Sequence, residues 1–331
     1  MDRRTLRSIK PAEHGFAITG YYTIEGDDIM EYEIMEHVHY AGLPSFNRFK
    51  MTRELEGADL AIMGVPFDSG VTNRPGARFG PAAIRQQSRL ACSFNYMWDY
   101  RLKDKFNIID YGDVGYYLGE NSTKIMLKET YEHAKKILGA GVRLFTLGGD
   151  HTIPFGPVRA ASEQFGKLAL LHFDSHQDST PCDPNTGVTH ANFAYELQKE
   201  GCIDPSRSVQ VFIRTDMHKC GYNIIYADET TTASPAETAE KIKAIIGDMP
   251  VYLTFDTDAL DPAYAPGTGT PVIGGPSSAY VRGVLTRLRG LNVVAGDVVE
   301  VAPNYDSSEI TSVAAAQIAQ DIMYLMLDSK K

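Results

Sequence analysis

The chain has 331 residues, a formal net charge of −10, 43% hydrophobic and 22% charged residues. That is ordinary globular composition with ample material for a core, and the acid excess argues against a nucleic-acid binder, which carries a basic patch or stripe. The four cysteines, Cys92, Cys182, Cys202 and Cys220, form no C-x-x-C pair. They are too sparse for a disulfide framework and read as reduced thiols. The first ten residues contain no apolar signal region. No apolar run approaches the roughly 20 residues of a membrane helix, so the expected location is cytoplasmic.

In chain order, residues 1–50 are polar and aromatic without a strong period. They are expected to form an amino-terminal extension packed on the domain or on a neighbouring subunit. No linker, repeat or low-complexity tract divides residues 51–331, which are expected to form one catalytic domain. Short apolar runs at 60–65, 106–109, 142–147, 168–173, 209–213, 251–255 and 293–301 predict parallel strands covered on both faces. Helical patterns follow at 124–138, 191–200, 235–246, 280–289 and 308–327. Strand–helix alternation at this spacing predicts an α/β sheet with helices on both sides. Binding sites in such sheets form beyond the carboxyl ends of strands. The Gly- and Pro-rich loops at 68–81, 180–189 and 261–276 lie there.

Three clusters of candidate ligands occupy the same position. His151 follows the run 142–147 in Gly148-Gly149-Asp150-His151. Asp174, His176 and Asp178 follow the run 168–173, and Asp256 and Asp258 follow the run 251–255. Alternation along an extended strand predicts that Asp174, His176 and Asp178 point one way, as do Asp256 and Asp258. Four carboxylates and two imidazoles gathered without basic partners repel one another unless cations intervene. The number of ligands suits two divalent ions rather than one.

These motifs resemble the ureohydrolases, the family of arginase, agmatinase, guanidinobutyrase and proclavaminate amidinohydrolase, from about residue 58 to 328. The segment 64–81 is similar to the amino-terminal signature of the agmatinase branch. Residues 148–151 match G-G-D-H, 174–178 match D-x-H-x-D, 256–271 match the long D-x-D signature, and 297–303 match the stretch bearing the guanidinium-binding glutamate. The resemblance implies a three-layer α/β/α fold with a central parallel sheet of about eight strands, in trimers or hexamers. It implies two Mn²⁺ ions, with Ni²⁺ as the alternative. His151, Asp174, Asp178 and Asp256 would hold one ion, and Asp174, His176, Asp256 and Asp258 the other. Hydrolysis of a guanidino group at neutral pH needs hydroxide, which such an ion pair supplies. The resemblance also implies that Asp178 orients the nucleophile, that His190 shuttles a proton, and that Glu300 pairs with the guanidinium. Arg214 is the structural alternative partner for Glu300. Asp150 is expected to support its neighbours rather than bind metal.

Several neighbours of these motifs depart from the family pattern. Ser175 and Gln177 stand within the usual D-A-H-T-D, Ala191 and Asn192 within the usual H-G-T, and Thr254 replaces the usual serine. Pro276 to Tyr280 replace the usual T-S-R-E segment. The departures suggest a tail pocket reshaped by Gln177, Asn192, Phe193 and Tyr280 for a small guanidine or biguanide, as in a metformin-hydrolase-like enzyme. The alternatives are a conventional agmatinase or guanidino-acid hydrolase, and a weakly active subunit supporting a paralogous partner. A single-zinc deacetylase on the related fold is the reading from outside the ureohydrolases.

Overall fold

The computed structural model describes residues 42, 44–91, 94–95, 97–115, 119–181, 185–215 and 219–328. Most of the expected extension, and both Cys92 and Cys182, lie outside the described residues. The unit described below runs from Pro44 to Lys331.

The elements in chain order are β1 (Lys50–Met51), β2 (Leu60–Val65), α1 (Gly80–Ser88), β3 (Phe94–Asn95), β4 (Tyr100–Arg101), α2 (Leu102–Lys105) and β5 (Ile108–Asp113). Next come α3 (Ser122–Gly139), β6 (Arg143–Gly148), α4 (Phe155–Phe165), β7 (Ala169–Phe173), α5 (Phe193–Lys199), β8 (Val209–Ile213) and β9 (Asn223–Tyr226). The chain then forms α6 (Pro235–Ile246), β10 (Pro250–Asp256), α7 (Ser278–Leu285), β11 (Asn292–Val299) and α8 (Ile310–Asp328). Nine strands form one sheet in the order β1-β5-β2-β6-β11-β10-β7-β8-β9. Every pairing in it is parallel.

The expectation of a three-layer α/β/α fold around a parallel sheet holds. The sheet has nine strands rather than about eight because two-residue β1 joins the β5 edge. Short β9, whose apolar stretch of Ile224 to Tyr226 is too brief to announce it, closes the other edge beside β8. Side chains of α1, α6, α7 and α8 share one core with Leu60, Phe145, Leu171, Leu253 and Phe255 of the strands. Those of α3, α4 and α5 share the other core with Met63, Leu144, Leu170, Tyr252 and Ala295. Both faces are therefore dry, which is why the central strands read as unbroken apolar runs.

Local signals explain several boundaries. Ser234 caps α6, accepting from Glu237 N while Glu237 returns a bond to the Ser234 backbone, and Pro235 occupies the first turn. Ser277 caps α7 through the amide of Tyr280. Helix α8 is long and apolar enough to cross a membrane by length and composition, contrary to the sequence expectation, but 78% of that window is buried. It is apolar because it packs against α1, α7 and β11 in the core.

One buried row crosses the middle of the sheet. Register aligns Gln210 with His172, His172 with Thr254, Thr254 with Asp297, and Asp297 with Thr146. All five are fully buried. Their parity puts them on the face covered by α3, α4 and α5, two residues beyond Leu144, Leu170, Tyr252 and Ala295. This polar row lies directly beneath the carboxyl ends of β6, β11, β10 and β7.

Candidate metal centre

Sheet order brings the three ligand clusters together, because β6, β11, β10 and β7 are consecutive neighbours. At the end of β6, Gly148 and Gly149 permit close packing. A Cβ on Gly149 would overlap the Phe67 carbonyl and lie 2.7 Å from that of Val65. The tight turn delivers His151 into the site. Its ring Nδ1 lies 3.0 Å from Asp174 Oδ2, 3.0 Å from Asp178 Oδ2 and 3.3 Å from Asp256 Oδ2. A second group forms alongside, with His176 Nδ1 lying 3.0 Å from Asp258 Oδ2 and 3.4 Å from Asp174 Oδ1. All six predicted ligands converge, and Asp174 belongs to both groups.

Strand alternation is not what makes them converge. Strand β7 ends at Phe173, and the chain turns sharply enough that Asp178 adopts φ 46°. His176 N donates to Asp174 Oδ1 at 2.6 Å, which fixes this turn. Likewise β10 ends at Asp256, whose Oδ1 caps a short 3-10 turn by accepting from Asp258 N at 2.7 Å. Oδ1 of each carboxylate thereby shapes its loop, while Oδ2 of each faces His151.

The hydrogen bonds behind His151 define its proton. Thr254 Oγ1 donates to Asp297 Oδ1 at 2.6 Å, so it accepts from His151 Nε2 at 2.8 Å. Tyr252 OH donates to Asp297 Oδ2 at 2.7 Å. Burial pushes the Asp297 carboxyl up to about 6 against these donated bonds, leaving it charged at neutral pH. With its proton on Nε2, a neutral His151 presents a lone pair at Nδ1. That atom is buried, and in the neutral ring it has no proton to give the three carboxylate oxygens it faces. Such an arrangement is favourable only with a cation among the groups. Protons otherwise take that place. Burial opposes a charge on His151, but its bonds to Asp174, Asp178 and Asp256 outweigh burial and hold the imidazole well above its usual range. His176 is pushed up to about 12 by Asp174 and Asp258, again against burial. Burial and its acidic neighbours hold Asp256 well above the usual carboxylate range. The donor set of carboxylates and imidazoles fits a hard or borderline divalent ion.

His172 is the functional residue that the sequence reading missed. Its distance alone would group it with His151, Asp174 and Asp178. Both ring nitrogens are engaged, however. Nε2 lies 2.7 Å from Asp174 Oδ2 and Nδ1 lies 3.2 Å from the Gln210 amide. His172 therefore orients a carboxylate rather than offering a ligand atom. The available signal was one polar residue inside each apolar run, at Thr146, His172, Gln210, Thr254 and Asp297.

Glu300 sits one residue past β11 at φ 63°. Its Oε1 accepts from His151 N at 2.9 Å and lies 3.4 Å from His190 Nδ1. Its Oε2 faces Gly269, where a Cβ would stand only 3.3 Å away. Arg214 instead serves the carbonyls of Phe212, Asp258, Ala259, Leu260 and Val272. His190 Nε2 lies 3.1 Å from Thr72 N and 3.0 Å from Thr72 Oγ1. The N–H suits the neutral ring and the hydroxyl suits the charged one. Burial opposes the charge on His190, and Glu300 overcomes it, pushing the group up to about 9. Asp150 supports the loop above, accepting from Gly70 N at 2.7 Å and Thr152 N at 2.9 Å.

Other expected substrate contacts are engaged elsewhere. Tyr280 OH bonds to Ala233 O and Thr238 Oγ1, each at 2.8 Å, because α7 turns that side chain toward α6. Asn192 folds back on its own loop, accepting from Thr189 N at 2.7 Å and donating to Gly187 O at 2.8 Å. Gln177 is buried and its amide reaches Gln210 Oε1 at 3.5 Å, beneath the ligands. The Phe193 ring packs 4.5 Å from His151 and 5.7 Å from His172, centroid to centroid, as a wall behind them.

A parallel α/β/α sheet whose central strand ends gather six acidic and imidazole side chains beside a buried glutamate is the arrangement of a metal-dependent hydrolase. The arginase family profile matches residues 58–325. The chain is 45% identical to an agmatinase of Shigella sonnei over 278 residues, 82% of this chain and 89% of the relative. It is 45% identical to an agmatinase of Chromobacterium violaceum over 294 residues, 88% of this chain and 91% of the relative. Among solved structures, a hypothetical agmatinase from Burkholderia thailandensis superimposes with a TM-score of 0.84 at 43% identity, covering 88% of this chain and 93% of that one. Proclavaminate amidino hydrolase from Streptomyces clavuligerus gives 0.84 at 34% identity, covering 88% and 99%. The chain belongs to the arginase family and, within this family of C–N hydrolases, to its agmatinase-like branch.

Proposed function

We propose that this enzyme hydrolyses the guanidino group of agmatine, releasing urea and a diamine. The observation that carries the reading is the six-ligand centre beside the Glu300–His190 pair, supported by 45% identity to agmatinases across 82% and 88% of the chain. His151, Asp174, Asp178 and Asp256 would hold one ion, and Asp174, His176, Asp256 and Asp258 a second. Mn²⁺ is the first choice and Ni²⁺ the alternative. Bound there, two divalent ions make a strong nucleophile available from water near neutral pH.

The chain's own residues account for the remaining steps. Glu300 is held by His151 N–H through Oε1 and presents Oε2 to one edge of the guanidinium, a planar cation that suits a carboxylate. Asp178, beside His151, orients the attacking oxygen. His190 holds a proton next to Glu300 and delivers it to the departing amine, with Thr72 fixing the ring from behind. The reading extends to a trimer or hexamer in solution.

The small-guanidine and biguanide reading rested on Gln177, Asn192 and Tyr280 lining the substrate pocket. Their side chains bond elsewhere, and the relatives are named agmatinases, so the conventional activity is favoured. The test is urea release from agmatine, guanidinobutyrate, arginine, guanidine and metformin with Mn²⁺ and Ni²⁺ compared. Agmatine should be the best substrate. Faster turnover of guanidine or metformin would overturn the assignment.

A further inference from the structure

Ser175 stands between two candidate ligands, where the family pattern carries alanine. Its side chain turns back onto Asp258, and its Oγ also lies 3.0 Å from His176 Nδ1. Asp258 Oδ1 accepts from Ser175 N at 3.0 Å and from Ser175 Oγ at 2.7 Å. A carboxylate oxygen has two lone pairs, so these two donors saturate Oδ1. Only Oδ2 turns toward the ligand group, 3.0 Å from His176 Nδ1 and 3.2 Å from Thr270 Oγ1. Ser175 is fully buried and Asp258 is 1% exposed, so solvent does not compete for these bonds. With alanine at position 175 the backbone donor would remain, but one lone pair on Oδ1 would be free.

We propose that Ser175 is a positioning residue that holds Asp258 to one-oxygen coordination and thereby biases the second ion position toward Ni²⁺ relative to Mn²⁺. A carboxylate gripping through both oxygens closes a small, strained ring and pulls two ligands well inside the right angle of an octahedron. Mn²⁺ accommodates such distortion, whereas Ni²⁺ favours regular octahedral or square arrangements. Withholding the second oxygen removes an advantage that Mn²⁺ would otherwise have. The departure at position 175 therefore acts on the ion through its contacts with Asp258 and His176. The inference rests on the two-ion reading given above.

The test uses the metal-depleted full chain and its Ser175→Ala and Ser175→Thr variants, dialysed to equilibrium against Mn²⁺ and Ni²⁺, with bound metal counted by elemental analysis. Thermal unfolding of the metal-depleted proteins checks that each variant folds. The Ni²⁺-over-Mn²⁺ preference should fall about tenfold in Ser175→Ala, the scale on which supporting contacts tune a metal site. Ser175→Thr, which keeps the hydroxyl, should stay near the parent ratio. If the alanine variant folds, binds two ions and keeps the parent preference, the proposal is overturned while the two-ion reading stands. A crystal structure of the Mn²⁺-loaded alanine variant with Asp258 still bound through one oxygen would overturn it equally. If the parent binds only one ion, the two-ion reading falls as well. Should Ser175→Thr not fold, the alanine comparison alone decides.

Discussion

Thr254 is the joint between the buried polar row and the candidate metal centre, and replacing it with valine tests that connection. Valine keeps the branched shape and removes the hydroxyl. His151 Nε2 then loses an acceptor at 2.8 Å, and Asp297 Oδ1 loses a donor at 2.6 Å. Each buried polar atom left without a partner costs about 1–3 kcal/mol. Asp297 keeps Tyr252 OH and already leans toward protonation, so it recovers part of its loss by taking a proton. A net destabilisation of about 2–3 kcal/mol is expected from these terms. For a protein of this size that lowers the melting temperature by about 3–5 °C, which scanning calorimetry on metal-depleted protein measures. His151 also loses the contact that keeps its proton on Nε2, so affinity for the first ion should drop about 10–100-fold in equilibrium dialysis. Thr254→Ser keeps both bonds and should resemble the parent in each assay. A valine variant that melts with the parent and holds metal equally tightly would refute the tautomer reasoning.

Three further outcomes are expected. Glu300→Gln keeps an acceptor for His151 N–H but removes the charge that faces the guanidinium; urea release should fall at least about 100-fold with metal content near normal, the scale of losing an oriented electrostatic contact. His190 is held up to about 9 with Glu300 beside it, so a proton-donating His190 predicts activity that declines as pH rises through that value. The same raised value adds stability below the free histidine pKa of about 6.5 and loses it as pH rises through the folded value. His190→Asn should abolish that basic limb in kcat–pH profiles, and an unchanged limb would remove His190 from the proposed role. Tyr280→Phe deletes bonds to Ala233 and Thr238 remote from the ligands; it should cost about 1 kcal/mol of stability and leave kcat/KM for agmatine untouched.

The fold was legible because both faces of the sheet are covered, so each central strand announced itself as a short apolar run. Strand β9 was missed because its apolar stretch is only Ile224 to Tyr226, with Ile225 alone of its residues buried at the sheet edge. The ligands were legible as residue types at strand ends, although the reason given for their convergence was incomplete. Alternation stops at Phe173 and Asp256, and side-chain caps on Asp174 and Asp256 then steer His176 and Asp258 inward. The polar row was not recognised because Thr146, His172, Gln210, Thr254 and Asp297 lie far apart in sequence, and only strand register aligns them. Tyr280 illustrates a different limit. Its place in the segment that replaces the usual T-S-R-E suggested the substrate, but side-chain direction on α7 depends on where α6 packs.

Strands β10 and β11 complete the middle of the sheet although they are among the last segments of the chain. Until they insert, β6 and β7 have no shared neighbour, and each presents an open edge that can pair with another chain. During synthesis the part of the site from His151 to Asp178 therefore waits for β10 and β11, which follow it in the chain. Pairing so distant in sequence slows folding and prolongs that exposure. The full ligand set exists only once β10 brings Asp256 and Asp258. Supplementing metal during expression should thus raise the yield of finished protein mainly by trapping completed molecules, with little effect on how fast they form.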